Sequence, residues 1–271
     1  MSREPIRTNV GVTTHGDNVV RGASVRDRLL LEETRWSLLS RLIDGPELSR
    51  ADAAMLDDML VAIACPDPRI WPLKVAWTIG SYGDWWAAHG AVTAMLGECR
   101  MGPWACAAAS DTVSVFRRLK GEHGEGFEDA VVEWARPRAR RREVIWGFGV
   151  AGGRARRVDE RWAMVKTAMA HHGRLDSPHF QVATQGATVL ERRLGLVPNA
   201  ALAVGSIGLD VGMSRSQIEV LMYQVLGPQI VGNAYEASRL APASLRALPE
   251  DAVEYVGPAR RESARAREAG G

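Results

Sequence analysis

The sequence predicts an all-α protein, and three observations carry that prediction. Serines stand three residues before an acid or amide at Ser24/Asp27, Ser49/Asp52 and Ser214/Gln217, the spacing of a capping box at a helix start. Apolar residues then recur at helical intervals: Met55, Leu56, Met59, Leu60 and Ile63 after Ser49, and Ile218, Leu221, Met222, Val225 and Ile230 after Ser214. Only one segment reads as a strand pair, and there is no internal repeat.

That segment is 10–20, β-branched around His15-Gly16-Asp17-Asn18, and it predicts a short N-terminal hairpin. Helices follow, two of them alanine-rich at 83–96 and 107–119. Gly121-Glu122-His123-Gly124-Glu125-Gly126 reads as a flexible connection, and 127–135 as a short helix. The basic run Arg136-Pro137-Arg138-Ala139-Arg140-Arg141-Arg142 is either a solvated loop or the rim of a pocket for a phosphorylated ligand. His171-His172 before Gly173 marks a helix C-terminus, where no neighbouring carboxylate or cysteine argues for a metal. Ser177-Pro178 supplies an N-cap and a first-turn proline, and Gly195 ends that helix about five turns later. Beyond Pro258 the chain is charged and rich in Ala and Gly, so 261–271 is expected to be a disordered tail.

With 271 residues and 46% apolar content, the chain can bury a substantial core. Its net charge of +2, from 34 basic and 32 acidic residues, argues against general nucleic-acid binding. No stretch is apolar enough for a signal peptide or a membrane span, so the expectation is cytoplasmic, with no membrane partner. Cys65, Cys99 and Cys106 are odd in number and lack metal-type spacing, so no metal is expected.

The segment most suggestive of a ligand is Gly147-Phe148-Gly149-Val150-Ala151-Gly152-Gly153-Arg154, followed by Arg156-Arg157 and Asp159-Glu160-Arg161. Gly147, Gly149, Gly152 and Gly153 let backbone approach a ligand, while Arg154 and Arg157 offer forked donors to phosphate or carboxylate. Five further segments flank it in order: Gly16-Asp17-Asn18-Val19-Val20-Arg21-Gly22, Gly80-Ser81-Tyr82-Gly83-Asp84, Met101-Gly102-Pro103-Trp104, Val197-Pro198-Asn199 and Glu254-Tyr255-Val256-Gly257-Pro258. This series resembles the citrate synthase superfamily, especially its shorter citryl-CoA lyase-like members, from near Thr8 to Pro258. The resemblance implies a homodimer whose large domain (1–120 and 206–260) carries a smaller inserted domain (121–205). It also implies a CoA thioester substrate, with 83–96 and 107–119 forming the dimer interface.

The same resemblance puts Ala105, Val150 and Ala201 where the family places its two catalytic histidines and its aspartate. Arg161 matches the arginine of the family's Asp-Pro-Arg triplet, with Glu160 in place of proline. A Claisen condensation needs a base for the α-proton and a donor for the enolate oxygen, worth roughly 10²–10⁴ and 10²–10³ in rate. Alanine and valine supply neither. Asp111 offers a carboxylate as a replacement base or as a complement to the helix dipole. Arg69, in Asp67-Pro68-Arg69-Ile70-Trp71-Pro72, offers a carboxylate clamp or a structural partner for Asp67. Asn199 is an amide donor or a turn residue, and Trp104 belongs to a tryptophan-rich half with Trp71, Trp77, Trp85 and Trp86. The expected function is an atypical enzyme making or breaking a C–C bond on a CoA thioester or related carboxylated acyl substrate. The alternatives are a silent acyl-CoA-binding or regulatory homologue, and a scaffold reused for CoA-independent chemistry such as cyclisation.

Overall fold

The computed structural model describes residues 6–96, 102–149, 158–240, 254 and 256–257. Val150, Gly152, Gly153, Arg154, Arg157 and the 261–271 tail lie outside the described residues. The hairpin forms as β1 (Gly11–Thr14) and β2 (Asp17–Val20), and β3 (Ala23–Ser24) extends it into an antiparallel sheet ordered β1-β2-β3. Gly11 pairs with Val20 and Thr14 with Asp17. Arg21 and Gly22 take φ of 47° and 78° between β2 and β3, the paired positive angles of a type I′ turn. Ser24 accepts from the Asp27 N–H as the capping pattern predicts, but the element it caps is a single π-helical turn, Val25–Leu29.

Ten α-helices come next among the described residues: α1 (Arg35–Leu42), α2 (Arg50–Ile63), α3 (Trp71–Tyr82), α4 (Trp85–Met95), α5 (Pro103–His123), α6 (Phe127–Arg140), α7 (Glu160–His171), α8 (Pro178–Leu194), α9 (Ala200–Asp210) and α10 (Arg215–Ser238). The protein is all-α apart from the small sheet. At α2 the capping box closes, with the Asp52 N–H donating to Ser49 Oγ at 3.1 Å and the Ser49 N–H to Asp52 Oδ2 at 3.0 Å.

Three local expectations are corrected. The supposed flexible connection 121–126 is the last turn of α5 followed by a short 3₁₀ turn, Gly124–Gly126. Phe127 is buried there under Lys120, whose ammonium lies 5.2 Å from the ring centre, and this contact orders the corner. The basic run is not a loop: α6 continues through Pro137 to Arg140, because Val131, Val132 and Ala135 bury one face and Arg138 stacks on Trp134 at 4.8 Å. Ser177 occupies the N-cap position of α8 without a side-chain bond. Asp210 takes that role from the end of α9, accepting the N–H groups of His179 and Phe180 at 2.8 and 2.9 Å.

Three apolar clusters form the interior. The largest joins α1, α2, α7, α9 and α10 around Trp36, Leu56, Met59, Val165, Ile207, Ile218 and Leu221. A second joins α5, α6 and α8 around Phe116, Val131, Ala183 and Leu190, and a third joins α3, α4 and α10 around Leu73, Ala76, Val92 and Ile230. Burying each such side chain contributes about 1.5–3 kcal/mol. Helices α5 and α9 meet closely at Gly205, where a Cβ would stand 2.8 Å from the Ser110 nitrogen and 3.1 Å from the Cys106 oxygen. No helix of the described residues is long and apolar enough to cross a membrane.

Candidate functional site

The crossing at Gly205 is about one and a half turns from the starts of both α5 and α9. Cys106 in the first turn of α5 and Ala200 at the start of α9 both lie by Arg161 and its partner Asp159, which brings the two helix starts together. Neither has an acidic residue in its first turn, which leaves their positive ends uncompensated by charge on their own helices. Asn199 is the N-cap of α9. Its Oδ1 accepts from the Ala201 N–H at 3.0 Å, and its Nδ2 donates to the Gly149 oxygen at 2.9 Å. The Gly147–Gly149 backbone is thus held against 197–199: the Asn199 N–H donates to the Gly147 oxygen at 2.9 Å and the Gly149 N–H to the Val197 oxygen at 2.8 Å. Gly147 has φ +89°, and a Cβ there would stand 2.8 Å from Leu202 Cδ1, so only glycine fits.

The start of α7 joins the same place. Asp159, 3% exposed, receives Arg161 Nε at 2.8 Å and Arg161 Nη2 at 2.7 Å in a two-pronged pair. It also accepts the backbone N–H groups of Arg161 and Ala200, at 3.1 and 3.3 Å. Burial pushes this carboxyl up, but the Arg161 bonds and charge and the two N–H donors outweigh it and hold it below the usual carboxylate range. The bonds to Asp159 raise the Arg161 guanidinium above its ordinary value. Cys106, in the first turn of α5, is within electrostatic reach of Arg161; burial pushes its thiol up to about 12. Half-buried Cys65, which comes just after α2, interacts electrostatically with both Arg161 and Arg69.

The sequence-selected residues therefore divide between two faces of α5. Ala105 (buried), Ala201, Asn199, Gly147, Gly149 and Arg161 belong to the meeting of helix starts. Trp104 and Asp111 belong to a separate cleft of about 360 Å³ with Thr112, Trp134, Arg138, Trp146 and Arg215. There Asp111 accepts from Arg215 Nε at 3.0 Å, Arg215 lies 5.8 Å from the Trp104 ring centre, and Trp104 meets Trp146 edge-on. Arg69 has its guanidinium bonded to Asp67 and largely in solvent. Sequence reasoning does not connect Asp159 with Ala200, or Arg215 with Asp111; no local pattern marks either pairing.

No family model matches the sequence, and no curated protein matches it. Solved structures do match. The chain is similar to a citryl-CoA lyase from Hydrogenobacter thermophilus, with a TM-score of 0.75 and 18% identity over 98% of this chain and 100% of that one. It is also similar to an ATP citrate lyase from Methanosaeta concilii, solved as a D541A mutant in complex with (3S)-citryl-CoA. That match has a TM-score of 0.70 and 15% identity, and covers 98% of this chain and 44% of the other. A citrate synthase from Thermoplasma acidophilum, in complex with carboxymethyl coenzyme A and oxaloacetate, gives a TM-score of 0.57 and 16% identity over 85% and 58% of the two chains. At these identities the likeness establishes a citrate synthase-like fold.

Proposed function

We propose that the chain is an atypical citrate synthase-like enzyme that acts on a CoA thioester, or a related carboxylated acyl substrate, and forms or cleaves a carbon–carbon bond. The observation that carries this reading is the end-to-end likeness to a citryl-CoA lyase, which spans nearly all of this chain and the whole of the other rather than one sub-fold. The convergence of the α5, α7 and α9 starts supports it: the α5 N-terminus carries no acidic residue in its first turn, and the Asp159–Arg161 pair sits at the start of α9, so backbone N–H groups and a held guanidinium gather where a carboxylate or a developing enolate oxygen would bind. In this reading Arg154 and Arg157, with Gly152 and Gly153, hold the phosphates, and Ala105, Val150 and Ala201 line the acyl pocket. Residues 121–205 make the smaller, inserted domain, and 1–120 with 206–260 the larger one.

The three apolar positions mean that proton transfer passes to groups other than the family's histidines and aspartate. One observation favours the silent, binding-only reading: Arg161 and Asp111 are already engaged by Asp159 and Arg215. Calorimetry with CoA and acetyl-CoA, and incubation with citryl-CoA followed by chromatography, separate the readings. Release of acetyl-CoA supports the enzyme, and binding without turnover supports the silent homologue. No heat at millimolar CoA from folded protein overturns both. Arg154→Ala with Arg157→Ala should weaken CoA binding at least tenfold, since charge-assisted bonds contribute about 1.5–3 kcal/mol each.

The proposed assembly is a homodimer, with 83–96 and 107–119 at the interface as the resemblance implies. Within the chain, α5 also packs against α8, α9 and α10. On α3 and α4, the large side chains of Tyr82, Trp86 and Met95 are 49%, 67% and 50% exposed.

A further inference from the structure

The sequence offers His171-His172 no metal-binding partner, but the fold brings one. Asp58 on α2 lies opposite the C-terminus of α7, and its Oδ2 is 2.8 Å from His172 Nε2. His171 is the last residue of α7 and His172 its C-cap, so the two rings stand 5.1 Å apart and nearly perpendicular. One ligand atom from each of Asp58, His171 and His172 lies within 4.8 Å of the others.

We propose that Asp58, His171 and His172 bind a divalent ion of the zinc class and thereby staple α2 to α7. Zinc takes imidazole nitrogen at about 2.0–2.1 Å and carboxylate oxygen at about 2.0–2.2 Å, usually with tetrahedral geometry. Tetrahedral neighbours at those lengths are roughly 3.3–3.5 Å apart, so the cluster needs only side-chain rotation to close. Asp58 and His171 are exposed and His172 is half-buried, with Asp58 already against His172 and His171 the ring that has to turn in. The mixed nitrogen–oxygen set suits zinc over magnesium or calcium, and solvent completes the fourth position. The carbonyl end of α7 adds attraction for a cation. The Arg174–Asp52 pair, at 2.6 Å, already joins α2 to the turn that follows α7. A bound ion would make this contact rigid, and with it the spacing between α7, which starts at Asp159 and Arg161, and α2, which leads to Cys65.

The test uses the untagged full chain. Zinc added to wild type is expected to bind one equivalent at micromolar concentration and to raise Tm. Cobalt is expected to give the visible absorption of a tetrahedral nitrogen–oxygen site. His171→Ala is the decisive variant, because the exposed His171 side chain makes no hydrogen bond among the described residues, and circular dichroism checks its fold. It and Asp58→Asn should each weaken zinc binding at least tenfold and abolish the Tm rise. Zinc binding weaker than millimolar in wild type, or binding equal in wild type and His171→Ala, overturns the proposal and leaves His172–Asp58 as a hydrogen-bonded contact only. His15→Ala, remote in the hairpin, should leave binding unchanged; if it removes binding instead, the site has been misplaced.

Discussion

Replacing Asp159 with asparagine leaves the Arg161 guanidinium without its counter-charge in a largely buried setting, which should cost about 3 kcal/mol at neutral pH. Because the folded carboxyl titrates below its unfolded value of about 3.9, this stabilisation is fully present above that pH. It is lost as pH falls through the lower, folded value. The Tm difference between wild type and Asp159→Asn should therefore be constant from about pH 5 to 8 and shrink below about pH 4. A difference that persists undiminished at pH 2 would show that the charge is not its source. Cys106 gives a second test. With its thiol pushed up to about 12, iodoacetamide at pH 8 should label it only after unfolding, and peptide mapping of native protein that finds it alkylated would contradict the geometry. At this scale the sequence is legible wherever a residue sits beside its own motif: Asn199 after Pro198, Arg161 beside Asp159, Gly147 in its glycine loop. It is silent on pairs made by folding. Arg215 and Asp111 are 104 positions apart and His172 and Asp58 are 114, and nothing local in either member names the other.

For the elements, the capping boxes make quantitative claims. Ser49→Ala removes the oxygen that accepts the Asp52 N–H, and should destabilise by about 1 kcal/mol in urea unfolding with an unchanged slope. Gly205→Ala places a methyl group against the backbone of α5, and overpacking of this kind should cost about 1–3 kcal/mol. If the variant is as stable as wild type, α5 and α9 do not pack as closely as described. Helices α2 and α10 are legible because cap and apolar spacing agree. The true end of α6 is not, because Pro137 and a run of arginines are helix-stop signals. Tertiary packing of Val131, Trp134 and Ala135 carries the helix past them. The start of α8 is legible at Ser177-Pro178, but the cap itself comes from Asp210, more than thirty residues on.

In the whole molecule, the proposed homodimer predicts sedimentation as a dimer at micromolar concentration. Trp86→Glu, at an exposed position of α4, should shift the mass to that of a monomer without unfolding it. A wild-type chain that stays monomeric at that concentration would remove the homodimer. The all-α class and the citrate synthase-like plan are both legible, because ordered motifs along the chain encode topology. The arrangement around α9 has a further consequence for how such a protein can change. Gly149 is tied to Asn199, and Asp159 to the adjacent Ala200, so both ends of the 150–157 segment are moored to consecutive residues of one helix start. The two moorings set the span that the intervening chain has to bridge. Doubling its length would add only about 0.6 kcal/mol of closure entropy. The segment can therefore be exchanged as a cassette, and a lineage carrying this scaffold can trial new ligand contacts there without disturbing the helices that hold it.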